Sequence, residues 1–216
     1  LEYEQLLKNT NASIEERLSV YDKYPELLRE RDDCYLDHLT LLSQQGKYEE
    51  AINMAAVKRF HIYEGGEGKL TKQHAWMHVL YGNELANMGD TKKAEQIYIN
   101  GINMPKSYGE AKTFFNQEAH IYYYLAKLYT GDKRTAALEK AAEYKAAVSE
   151  ISLFRALALK ELGREGEAKQ VLDEMLSAAK DLIDNKDMRT YYGVGSPSPM
   201  PFELDIEKRN LLAGYT

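Results

Sequence analysis

The chain has 216 residues, 44% of them hydrophobic and 29% charged, with a formal net charge of −6 and a pI near 5.5. That much apolar material excludes disorder of the whole chain, and Lys and Arg are spread too evenly to offer a basic stripe to nucleic acid. Cys34, the single cysteine, excludes an internal disulfide, and no cluster of Cys and His has the spacing of a structural zinc site.

The first predicted element is a leading helix at about Ser13 to Tyr24, where Ser13 and Glu16 have capping-box spacing. Four helical hairpins follow, at about 32–60, 71–104, 113–147 and 149–185, because apolar residues recur at three and four and helix breakers are almost absent before residue 190. Ile151, Phe154, Ala158 and Leu162 line one such face, and Gly163 ends it. Asp90, Asp132 and Ser149 stand where helices are expected to begin. Residues 191–202, with Pro197, Pro199 and Pro201, read as an extended Pro/Gly segment, and 203–216 as the start of a further helix. The chain opens on Leu1 and stops within that last helical pattern, so a fragment of a larger protein is the expectation.

Three segments repeat one spacing: Gly46 with Ala51, Gly89 with Ala94, and Gly163 with Ala168, with Leu39, Gly82 and Ala156 twelve residues before each alanine. In a two-helix hairpin the glycine makes the turn, and small residues let the helices approach where they cross. An irregular copy has Ala126, Tyr129, Gly131 and Ala137, and its first helix is one residue short. From alanine to alanine the steps are 43, 43 and 31 residues. The first two junctions therefore carry extra chain, at Tyr63 to Lys69 and at Lys106 to Lys112, which the repeat places on one edge.

The run Tyr81 to Asp90, followed by Ala94, Tyr98, Gly101 and Pro105, resembles the tetratricopeptide repeat, whose unit is about 34 residues. The resemblance implies an all-α, right-handed TPR-like α-solenoid of about four helical hairpins with two long inter-repeat loops, forming a single domain over 1–216. Further strings, Arg59 to Lys69, Glu118 to Leu125 and the Tyr191 to Pro199 tail leading into Phe202 to Asn210, resemble the repeat region of large bacterial proteins that carry an uncharacterised, mutarotase-like β-sandwich domain ahead of the repeats. That family implies no known activity.

Candidate chemistry is sparse. His74 and His78 lie one turn apart in a spacing able to hold a metal ion, but no Glu follows the first His as in a zinc protease, so packing or surface contact is the reading. Gly65, Gly66 and Gly68 suggest a phosphate loop, yet Lys69 is followed by Leu70, and Glu64 and Glu67 repel phosphate. Asp32 and Asp33 beside Cys34 act against a reactive thiolate. No nucleophile has a base beside it, and no carboxylate pair is set apart, so a non-catalytic protein without metal or cofactor is expected.

The repeat resemblance implies an inner groove built from the first helix of each hairpin. Its expected residues are Leu36, Thr40 and Gln44, then Trp76, Val79, Asn83 and Asn87, then His120, Tyr123 and Lys127, then Leu153, Leu157 and Lys160. Asn83 and Asn87 suit an extended peptide backbone, and Trp76 and Tyr123 offer flat apolar area. Some repeats of this kind grip a terminal carboxylate with groove lysines, but Leu36, Val79 and Tyr123 occupy the matching positions here.

The expected function is a protein-interaction scaffold that binds a peptide or partner surface. The alternative is an accessory arm that packs on a carbohydrate-binding or carbohydrate-active β-sandwich of the same protein, docking through Glu64, Glu67, Lys69, Glu110 and Lys112. Neither nucleic acid nor membrane is an expected partner, because there is no basic stripe and no apolar run approaches the ~18 residues that span a bilayer. The acidic start is unlike a signal peptide; the compartment stays open, with a soluble, cytoplasmic setting favoured, since a targeting signal can lie in the part of the protein outside this segment. Cutting a repeat stack uncovers apolar end faces, which allows a dimer that depends on where the chain is cut.

Overall fold

The computed structural model describes residues 2–61, 68–109, 118–144 and 148–184. The protein is all-α, with no strand among the described residues. Two compact units divide the chain, Leu1–Asn116 and Gln117–Thr216, and their border falls in the second long junction.

The first unit holds α1 (Glu2–Asn9), α2 (Ile14–Lys23), α3 (Glu26–Glu30), α4 (Asp32–Gln44), α5 (Tyr48–Val57), α6 (Lys69–Asn87) and α7 (Thr91–Ile102), then a short 3₁₀ turn at Lys106–Tyr108. The second holds α8 (Ala119–Leu128), α9 (Gly131–Ala142), α10 (Glu150–Glu161) and α11 (Glu165–Asp184). In the first, α4 packs on α5, α5 on α6, α6 on α7, and α4 also on α6; in the second, α8, α9 and α10 pack on one another and α10 on α11. The helices α1 and α3 are additions to the sequence reading. The expected extended segment at 191–202 and helix at 203–216 lie outside the described residues.

Local chemistry explains where the helices start and stop. Ser13 accepts the Glu16 amide at 3.1 Å, Asp90 accepts the Lys93 amide at 3.0 Å, and Ser149 and Ser152 form a reciprocal capping box on α10. Asp132 corrects one expectation: Thr130 precedes α9, and Asp132 sits inside the first turn, where its charge still favours the helix N-terminus.

Three turns share one hydrogen-bond pattern. The Gly46 amide donates to Ser43 O at 3.0 Å and the next amide, Lys47, reaches back to Leu42 O at 2.9 Å. Gly89 and Asp90 repeat this onto Ala86 and Leu85, and Gly163 and Arg164 onto Lys160 and Leu159. These pairs satisfy the last carbonyls of each helix, and they require φ of 76°, 87° and 75°, which glycine adopts without strain. Between α8 and α9 only Tyr129 and Thr130 connect the helices, which accounts for the one-residue shortfall in that copy.

The helices α6 and α7 cross closely at Gly82. A Cβ built on Gly82 would lie 2.3 Å from Cε1 of Tyr98, so the tyrosine ring occupies the space a side chain would need. Tyr98 is 1% exposed, and its hydroxyl donates to Asn83 Oδ1 at 2.5 Å. Ala51 and Ala94, the small residues that follow the first two turns, are fully buried.

Candidate functional site

The first unit is stitched together by buried polar and aromatic contacts that bridge separate helices. Arg17 of α2 lies between Glu4 of α1 and Asp37 of α4: its Nε donates to Glu4 Oε1 at 2.6 Å and its Nη2 to Asp37 Oδ1 at 3.1 Å. The Tyr21 hydroxyl donates to Asp37 Oδ2 at 2.8 Å. Glu4 is 1% exposed and Arg17 8%, so this is an interior ion network and not a solvated pair. Burial, reinforced by the nearby Asp37 carboxylate, raises the Glu4 carboxyl above its ordinary range in spite of Arg17.

Above this network a pocket of about 340 Å³ opens between three helices. From α4 come Asp33, Leu36, Asp37 and Thr40, successive positions on one face. Gln5 and Lys8 of α1 line it beside Glu4, and so do Lys69 and Gln73 in the first turns of α6. The carboxylates in it are already engaged, because Asp33 binds Arg31 through contacts of 2.7 and 3.0 Å and accepts the Cys34 amide at 2.8 Å. Among the described residues, Lys8 and Lys69 have no ion pair, and the Gln5 and Gln73 amides no hydrogen bond.

Two of the expected groove residues, Leu36 and Thr40, thus meet in one pocket, together with Lys69 from the expected docking set. Trp76, half-buried, follows Gln73 by three residues on the same side of α6. Gln44 and Asn87 are exposed at the ends of α4 and α6, and Asn83 is half-buried with its carbonyl oxygen taken by Tyr98. Val79, His120 and Tyr123 are corrections: at 0%, 1% and 8% exposure they belong to the core and offer no face to a ligand. Leu153 and Leu157 are half-buried and Lys160 is exposed on α10. Of the remaining docking residues, Glu64, Glu67, Glu110 and Lys112 lie outside the described residues.

In the second unit Glu161 of α10 gathers the polar partners. Its carboxylate accepts from the Tyr123 hydroxyl at 3.0 Å, from Lys127 Nζ at 2.5 Å and from Arg134 Nη2 at 2.5 Å. Burial acts to raise this carboxyl, but the bonds from Lys127, Tyr123 and Arg134 together hold it below its ordinary value. Lys127 is therefore a structural partner of Glu161 rather than an open contact.

His74 and His78 also resolve into packing. Both are buried; His74 Nε2 lies 3.1 Å from Asn100 O, which can only accept, so Nε2 carries the proton and Nδ1 accepts from the Tyr108 hydroxyl at 3.0 Å. His78 Nδ1 donates to His74 O at 2.8 Å, and burial pushes its ring toward the neutral form. With both nitrogens of His74 bonded, the pair makes no metal chelate. Among the described residues no three His, Cys, Asp or Glu side chains gather in a way that holds a metal ion. Cys34 is fully buried, and burial followed by the Asp33 charge pushes its thiol up, toward the unreactive form.

The flanks of the two long junctions meet within the first unit. The Phe60 amide donates to Ser107 O at 3.2 Å, and the Phe60 ring stacks edge-on against Tyr35 and Tyr108 at 5.7 and 5.4 Å. Asp32 accepts the His61 amide at 2.5 Å and pairs with Lys58 at 3.2 Å, which fastens the first flank to the start of α4.

Among the described residues no helix is long and apolar enough to cross a membrane. No family model matches the chain. No solved structure matches it at a significant level.

Proposed function

We propose that this chain is a non-catalytic protein-interaction scaffold, built from tetratricopeptide-type hairpins of a right-handed α-solenoid, and that it binds a peptide or partner surface on the side formed by first helices. The pocket between α1, α4 and α6 carries this reading: it joins groove positions Leu36 and Thr40 to unbonded amide and ammonium groups. A pocket of this size, with a partly apolar floor and convergent polar groups, suits a few residues of extended chain. The repeat reading is supported by the identical turns at Gly46, Gly89 and Gly163 and by the packing of first helix on first helix within each unit. The family resemblance adds a bacterial protein with a further domain as the setting.

The test is selection of a displayed random-peptide library on the full chain, repeated on a Thr40→Arg/Gln73→Arg variant that fills the pocket. Enrichment on the wild type and its loss on the variant are expected. Equal enrichment on both, with the variant folded by circular dichroism, rejects the pocket as the binding site; no enrichment on either rejects the peptide-binding reading.

The accessory-arm reading draws on a different observation, the bond between Phe60 and Ser107 that gathers the flanks of both long junctions. Copurification of this chain with a separately expressed β-sandwich domain decides it, and absence of association in trans counts against the arm.

A further inference from the structure

The pocket between α1, α4 and α6 contains charges of both signs, but they differ in what they are doing. Asp37 has both carboxylate oxygens bonded, one to Arg17 and one to Tyr21, and Asp33 is held by Arg31. Glu4 shares the same Arg17 guanidinium and is buried. An incoming cation would therefore have to compete with two arginines that are already in place. The ammonium groups of Lys8 and Lys69 are exposed and have no ion pair among the described residues. They are the charges left over, one on α1 and one on α6.

The walls add to this bias. Lys69 and Gln73 lie in the opening turns of α6, a 19-residue helix with no side-chain cap and no acidic residue in its first turn. That turn thus adds no carboxylate to the pocket. By contrast, α4 carries Asp32 and Asp33 in its first turn. Gln5 and Gln73 supply donors and acceptors suited to a peptide backbone, and Leu36 supplies the apolar floor.

From these we infer that the pocket recognises an acidic side chain of an internal peptide segment, its carboxylate lodged between Lys8 and Lys69 and the flanking backbone bonded by Gln5 and Gln73. This rests on the scaffold reading above and gives it a ligand class. The grip is on a side chain, so it does not depend on a free chain terminus. Lysine binds a carboxylate as a point charge, and at an exposed site each contact is modest and sensitive to salt.

The experiment titrates the full chain with the capped peptide acetyl-Glu-Ala-Glu-Leu-Glu-amide and its Gln and Lys counterparts. Calorimetry gives the affinity, and the emission of Trp76, the only tryptophan, reports a site one helical turn away. Binding of the Glu peptide alone is expected, weakened up to about fivefold by Lys8→Ala or Lys69→Ala, each an exposed charge. Lys8→Glu/Lys69→Glu should abolish it and admit the Lys peptide in its place, with the helical fold retained by circular dichroism. Binding of the Gln or Lys peptide to wild type as tightly as the Glu peptide overturns the acidic class and leaves the scaffold reading standing. Glu-peptide binding that survives the double reversal overturns the site, and failure of every peptide to bind overturns the inference, while the library selection decides separately on the scaffold.

Discussion

The two units are built from similar helix pairs but are held together differently. In the first, side chains far apart in sequence meet in the interior: Glu4, Arg17, Tyr21 and Asp37 form one buried network, and Tyr35, Phe60, Tyr108 and His74 form an edge-on aromatic chain. In the second, the interior is apolar and aromatic, with Ile121, Leu138, Ile151 and Leu159 buried and Phe154 against His120 and Tyr123, and the ion pairs of Glu161, Arg134 and Arg164 lie nearer the surface. The extra chain at the junctions accounts for part of the difference. Phe60 and Tyr108 come from segments beyond the helix pairs, and they fill the space between pairs that are not directly abutted in sequence. A buried ion network makes the first unit expensive to perturb, whereas ion pairs nearer the surface let the second tolerate changes to its charges.

The sharpest way to break this contrast is to remove Arg17. Arg17→Ala leaves Glu4 buried, and Asp37 half-buried, without their cation and should cost about 3 kcal/mol, read from urea denaturation. A loss below ~1 kcal/mol would mean the network is solvated. Next, and of similar size, is the crossing of α6 and α7: Gly82→Val must push the Tyr98 ring aside and should cost roughly 3 kcal/mol. Adding Tyr98→Ala to it should recover part of the loss, and strict additivity of the two changes would argue against contact.

Smaller effects sharpen the comparison. Tyr108→Phe keeps the stacked ring but strands His74 Nδ1, for a cost of about 1.5 kcal/mol by thermal melting. In the second unit Glu161→Gln should cost no more than about 1 kcal/mol at neutral pH, since Lys127 and Arg134 remain well hydrated. Its sign with pH is fixed. The Glu161 carboxyl is held below its ordinary value in the folded state, so its stabilisation is present above the ordinary glutamate range and is lost as pH falls through the folded value. The gap between wild type and Glu161→Gln should therefore close in acid, and a gap that widens there would contradict the bonding pattern.

The all-helical class and the turns were legible in the sequence because their causes are local. A glycine with positive φ, a capping serine or aspartate, and apolar residues at three and four all act within one or two turns of helix. Gly82 was legible as the small residue of a crossing, though its partner Tyr98 needed the structure. The ligand-facing set was less readable. Its register assumes that a first helix keeps one face free, but α6 is packed by α4, α5 and α7 and buries residues on nearly every side, Val79 among them. Tyr123 and Lys127 turned instead to Glu161, 38 and 34 residues away. The pocket itself escaped notice because half of it comes from α1 and from Asp33 and Asp37. Nothing in their own sequence distinguishes those residues from surface charge.

Whether a polypeptide binds the face made by α1, α4 and α6 is read directly by hydrogen–deuterium exchange of the full chain with and without a library-selected peptide. Added protection is expected in α1, in the N-terminal half of α4 and in the opening turns of α6, with α10 and α11 unchanged. Protection confined to α10 and α11 would contradict it.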